Sequence, residues 1–141
     1  MELTAAECVD LLATDLVGRV AYSTAAGPCI VPVNYELVPG DPVTAVEFRT
    51  SPHSELAAFA VHSPIAFEID HLDYERQRGW SVLALGRCVP VTREEEDEEV
   101  ASWAEGDHSL TLRLTWDTLT GRRVGGEHWP HPVVSGGRRS Y

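Results

Sequence analysis

The chain has 141 residues and a formal net charge of −11, with 22 acidic residues against 11 arginines and no lysine. That length suits one domain with its own core, and such acidity repels a nucleic-acid backbone. No apolar run nears the roughly 18 residues that span a membrane, no basic-then-apolar leader opens the chain, and the scattered Cys8, Cys29 and Cys88 lack metal or redox spacing, so a reduced, cytosolic protein is expected.

Leu3, Thr4 and Glu7 form a staple and capping box, which predicts a short helix with Cys8, Leu11 and Leu12 on its apolar stripe, ending before Gly18. Residues 18–24, 28–37 and 43–50 read as three strands, broken at Gly27-Pro28 and at Pro39-Gly40-Asp41-Pro42. Connections this short require antiparallel hairpins. The third strand runs into Arg49, Thr50, Ser51 and Pro52, where Ser51 is a good N-cap and Pro52 a good first helical residue. A helix over 54–61 is expected to follow, with Leu56, Phe59 and Ala60 on one face. Backbone N–H groups at such an end, with Arg49 beside them, suit the phosphate of a nucleotide-like cofactor. The same residues fit a plain cap with Arg49 as a solvated edge charge.

Residues 64–71 alternate Ile65, Phe67 and Ile69 with Ala66, Glu68 and Asp70, which reads as a strand whose acidic pair lies on a polar exterior. A long strand over 80–91 has Gly86 in its middle, where a bulge or a close backbone approach is expected. Thr92 and Glu95 make a second capping box, which opens a further helix with Val100, Trp103 and Ala104, its acidic run 94–99 facing water. Residues 110–116 alternate cleanly, with Leu110, Leu112, Leu114 and Trp116 on one face. A single domain over 1–124 is expected, followed by a poorly ordered tail over 125–141. His128 and His131 flank Trp129-Pro130 in that tail without metal-ligand spacing, and no metal site is expected.

Six strands with short turns and few helices predict a mainly-β fold, a small closed or split antiparallel barrel without exposed edges. So small a barrel has little interior room, so a large cofactor belongs on its outside or between subunits of a dimer.

The succession GRVAYST, PCIVPVNYEL, FRTSPHSEL, PIAFEID, GWSVLALGRC and LRLTWDTLTGRR, spread over residues 3–124, resembles the flavin-binding split-barrel proteins. These are the pyridoxamine 5′-phosphate oxidase-like group, and specifically its short actinobacterial branch. The resemblance implies a homodimer holding FMN, with a deazaflavin as the alternative cofactor. It implies that the strand of Val31, Pro32, Val33 and Asn34 runs along the isoalloxazine, offering backbone groups to its polar edge. Phe48, Arg49, Thr50 and Ser51 would hold the ribityl chain and phosphate, with Ser54 as a further donor. Trp80 and Ser81 would reach the flavin from the other subunit. One position departs from the family pattern: where a lysine usually stands, Glu55 puts a carboxylate beside the phosphate. Phosphate binding is then weak, or the ligand differs, unless the carboxylate turns away.

Three function classes follow. In the first, a flavin-dependent oxidoreductase acts on a small molecule with an electron donor, and the cofactor carries the chemistry. The second is a flavin or deazaflavin carrier or sensor; the third is a cofactor-free dimeric interaction domain. No Ser, Cys and His arrangement suggests nucleophilic catalysis, and no side chain is assigned a catalytic role. True pyridoxamine phosphate oxidase activity is not expected, because Arg122-Arg123 is the sole basic pair before the tail.

Overall fold

The computed structural model describes residues 1–92 and 108–125. The expected helix after Thr92 and the tail with His128 and His131 lie outside the described residues. Helix α1 (Ala5–Leu12) opens on the capping box, with Thr4 Oγ1 accepting from the Glu7 N–H at 3.2 Å and Glu7 Oε1 accepting from the Thr4 N–H at 3.1 Å. Removing that cap by Thr4→Ala is expected to lower stability by about 1 kcal/mol, read as a shift in the denaturant midpoint.

Strands β1 (Val17–Thr24), β2 (Gly27–Leu37), β3 (Ala45–Thr50), β4 (Pro64–Asp73), β5 (Arg78–Val91) and β6 (Leu110–Val124) close into one antiparallel barrel in the order β1-β2-β3-β6-β5-β4. The first hairpin turns at Ala25-Ala26, one step earlier than expected, because Gly27 takes a φ of 124° and re-enters the ladder opposite Thr24. Val20, Phe48, Phe67, Ile69, Val82, Leu112 and Leu114 are fully buried inside the barrel. Buried Glu47 on β3 is answered across the ladder by Arg113, whose Nε donates to Oε1 at 2.8 Å.

β6 continues eight residues past Trp116, the end expected from alternation. The cause is a bulge opposite Gly86: Leu85 pairs with Thr118 and Gly86 with Trp116, leaving Asp117 unmatched. One extra residue flips the strand's phase, so Leu112 and Leu114 point inward before it and Gly121 and Arg123 after it. Gly86 is required there, since a Cβ would lie 2.1 Å from the Thr115 carbonyl oxygen.

The helices cap opposite ends of the barrel. At one end the Tyr35 O–H donates to the Leu12 carbonyl of α1 at 2.5 Å, and Gly121 of β6 approaches Cys8 and Leu3. At the other, α2 (Glu55–Ala60) packs against β1. It buries Leu56, Ala57 and Ala60 and leaves Phe59 39% exposed, contrary to the expected face. Six residues make fewer than two turns, so the narrow buried stripe has no room for Phe59. No helix among the described residues is long and apolar enough to cross a membrane.

Candidate functional site

The junction between β3 and α2 gathers most of the expected phosphate residues. Phe48 is buried in the core, and Arg49, next along the strand, is half-buried. Among the described residues the Arg49 Nε is buried without a hydrogen-bond partner. A buried guanidinium N–H in that state costs free energy until an acceptor reaches it. Thr50 and Ser54 share a hydroxyl–hydroxyl bond of 2.8 Å, which uses one of their two protons and leaves the other to donate elsewhere.

Ser54, not Ser51, is the N-cap of α2: its Oγ accepts from the Ala57 N–H at 3.0 Å. Ser51 instead accepts from the His53 N–H at 3.2 Å, within a turn that also holds Pro52. Pro52 therefore precedes the helix rather than opening it. Two serines three residues apart are both good caps by type; the tertiary position of Leu56 and Ala57 selects the second.

Glu55 is turned towards the barrel wall. Its Oε1 accepts from the Tyr22 O–H of β1 at 2.9 Å. Burial first, and this carboxylate second, push the Tyr22 phenol up to about 12. Tyr22 thus stays protonated at neutral pH and holds one oxygen of the carboxylate that sequence alone places beside a phosphate.

On β2, Pro32 is exposed, Val33 is in the core, and Val31 and Asn34 are half-buried. Tyr35 pairs with Phe48, so continuing that register sets Asn34 across from Arg49. The ring strand and the phosphate segment are therefore neighbours. Trp80 and Ser81 are not. Arg49 pairs with Thr111, whereas Trp80 pairs with Arg123, twelve residues further along β6. That is on the order of 35 Å of strand. Trp80 itself is buried in the core, its ring centroid 6.3 Å from that of His71, while Ser81 is only half-buried, between Asp70 and Arg122 in the ladder. One chain cannot bring both groups to one small ligand.

Between these two regions the outside of the sheet carries one apolar row and one mixed row. Ile30, Ala21, Ala66 and Leu85 stand side by side on β2, β1, β4 and β5, and Pro32, Arg19, Glu68 and Leu83 form the next row. Ile30 is 67% exposed and Leu85 43%, a large apolar display for a sheet exterior. Arg19 binds both Glu68 and Asp70. This residue is missed by reading the sequence, because 49 positions separate Arg19 from Glu68 and only barrel closure makes them neighbours. Among the thiols, Cys8 and Cys88 are buried, and burial pushes Cys88 up to about 12.

The sequence profile described as pyridoxamine 5′-phosphate oxidase matches residues 4–123. The chain belongs to that family. It is 36% identical over 125 residues to the uncharacterized protein Rv0080 of Mycobacterium tuberculosis, a match covering 84% of this chain and 76% of that one. Among solved structures it is similar to the FAD binding protein from Mycobacterium smegmatis, with a TM-score of 0.70 and 27% identity over 88% of this chain and 97% of the other. A FAD-binding protein from Mesorhizobium loti shares the fold, with a TM-score of 0.68 and 18% identity over 89% and 98% of the two chains.

Proposed function

We propose that this chain is a homodimeric flavin-binding protein of the cytosol, with FMN as its cofactor and an oxidoreductase role. The observation that carries the reading is the buried Arg49 Nε, without a partner among the described residues, beside the hydroxyls of Thr50 and Ser54. A flavin phosphate supplies the missing acceptor, and the adjacent β2 strand offers Pro32 and backbone groups to a flat ring. When bound, the flavin supplies hydride or electron transfer. The chain's own residues then bind and orient it: Arg49, Thr50, Ser51 and Ser54 at the phosphate, and Val31, Pro32, Val33 and Asn34 along the ring. Trp80 and Ser81 come from the partner chain, because in one chain they lie too far from Arg49. The exposed rows of Ile30, Leu83 and Leu85 are the surface through which two copies meet.

FAD is the second reading, favoured by the similarity to the FAD binding protein from Mycobacterium smegmatis. A deazaflavin remains the alternative ring. Pyridoxamine phosphate as substrate is disfavoured, since Arg123 is buried and its Nη2 already lies 3.4 Å from the Glu7 carboxylate. Titrating the purified protein with FMN, FAD and riboflavin, with light scattering in parallel, tests the reading. Saturable binding of a phosphorylated flavin to a dimer supports it; binding by a monomer removes the shared site. Oxidation of reduced nicotinamide by the loaded protein with an added acceptor separates an enzyme from a carrier.

Glu55 offers a sharper check. Glu55→Lys replaces repulsion by attraction near the phosphate, so FMN is expected to bind roughly tenfold tighter at low salt, with the gain shrinking as salt is added. Tyr22 loses its acceptor in that variant, and a lower melting temperature should accompany the gain. Unchanged FMN affinity at low salt would place the phosphate away from α2.

A further inference from the structure

Glu55 stands where a carboxylate hinders the proposed phosphate, yet it is held from turning towards it. Arg49 is the only arginine or lysine between Phe48 and Glu55, so one carboxylate weighs directly against the one guanidinium of that segment. Their neighbours join them: Thr50 and Ser54 share a hydroxyl–hydroxyl bond of 2.8 Å, and Glu55 follows as the first residue of α2. An exposed glutamate in a first helical turn ordinarily ranges over several rotamers. Here its Oε1 is tied by the Tyr22 O–H at 2.9 Å. Tyr22 is only 4% exposed on β1, so its packed ring fixes the point at which the carboxylate is held. The phenol's second polar neighbour is the Cys29 thiol, directly across the β1–β2 ladder. A thiol is a weak acceptor and does not take the phenol proton from a carboxylate. Burial first, and Glu55 second, push that phenol up to about 12, so the donor persists across the whole neutral range.

We propose that Tyr22 is a positioning residue for the flavin phosphate: by holding the Glu55 carboxylate against the barrel wall, it sets how strongly the site takes a phosphorylated flavin. The inference rests on the flavin reading given above. A hydroxyl bond to an ionised carboxylate is among the stronger side-chain bonds, and breaking it returns Glu55 to its full set of rotamers. Those that swing towards Ser54 and Thr50 bring a negative charge to the phosphate and accept from the hydroxyls that would donate to it. Tyr22 thus acts through Glu55 and touches no ligand itself. The effect acts on charge, so riboflavin, which lacks the phosphate, is indifferent to it. The same bond lets a glutamate stand at this position without closing the phosphate cradle.

Titrations of the full chain with FMN and with riboflavin, at low and at high salt, test this in wild type, Tyr22→Phe, Glu55→Gln and the double variant. Phenylalanine keeps the buried ring of Tyr22, and Glu55 is exposed, so all four chains are expected to fold, which melting curves check. In Tyr22→Phe the FMN dissociation constant should rise by about three- to tenfold at low salt and by less at high salt, while that of riboflavin moves by less than about twofold. Made in the Glu55→Gln background, the same change should shift FMN affinity by less than about twofold, because no charge is left to release. An FMN loss of equal size in both backgrounds, or an equal loss for riboflavin, would make Tyr22 part of the pocket wall and overturn the proposal. Unchanged FMN affinity in Tyr22→Phe would overturn it too. A wild type that binds neither ligand would instead remove the flavin reading, and this proposal with it.

Discussion

Phe67→Ala is expected to destabilise the barrel by about 3–5 kcal/mol, lowering the melting temperature by roughly 10–20 °C. Phe67 is fully buried on β4, with its ring 4.8 Å from that of Tyr35 in an edge contact. It also fills the space over Gly18, where a Cβ would lie 2.3 Å from its Cζ. A closed ring of hydrogen-bonded strands cannot collapse around the vacated volume, so the cavity persists and its cost adds to the lost transfer energy. The internal control is Phe59→Ala. Sequence periodicity assigns both phenylalanines to buried faces, but Phe59 is 39% exposed and its loss should cost less than about 1 kcal/mol. Calorimetry on the two variants checks the contrast. Comparable losses would place Phe59 in the core, with α2 seated deeper against β1.

Arg49→Ala should weaken FMN binding by about ten- to a hundredfold while leaving riboflavin nearly unaffected. Only the phosphorylated ligand carries the charge that the guanidinium meets. The substitution also removes a buried Nε that lacks a partner among the described residues, so the free protein should be no less stable. Parallel titrations with FMN and riboflavin, with a thermal melt of the unliganded variant, check all three parts. Equal weakening of both ligands would make Arg49 a structural residue.

The strands and the first helix were legible because each carries a local signal: the Thr4–Glu7 box, the alternation of Ile65, Phe67 and Ile69, and the turn residues between strands. Where alternation breaks, local reading breaks with it. The second half of β6 runs on a reversed phase after the bulge opposite Gly86, so Gly121 and Arg123 carry the inward face without any apolar period to announce it. Gly86 itself was a usable signal; which partner residue would be skipped was not. At the candidate site, residue types pointed to the β3–α2 junction, but the choice between Ser51 and Ser54 as cap depends on how α2 docks. The Tyr22–Glu55 bond and the Arg19 cluster were invisible for a different reason. Their partners lie 33 and 49 positions apart and meet only once the barrel closes.

The most direct test of the central claim is a spectral titration of the purified, flavin-free protein with FMN. The account predicts saturable perturbation of the flavin bands at one flavin per chain, abolished or strongly weakened by Arg49→Ala. No saturable binding of FMN, FAD or riboflavin up to about millimolar concentration, weaker than any affinity worth about 4 kcal/mol, would contradict it and leave a cofactor-free dimeric domain as the surviving reading.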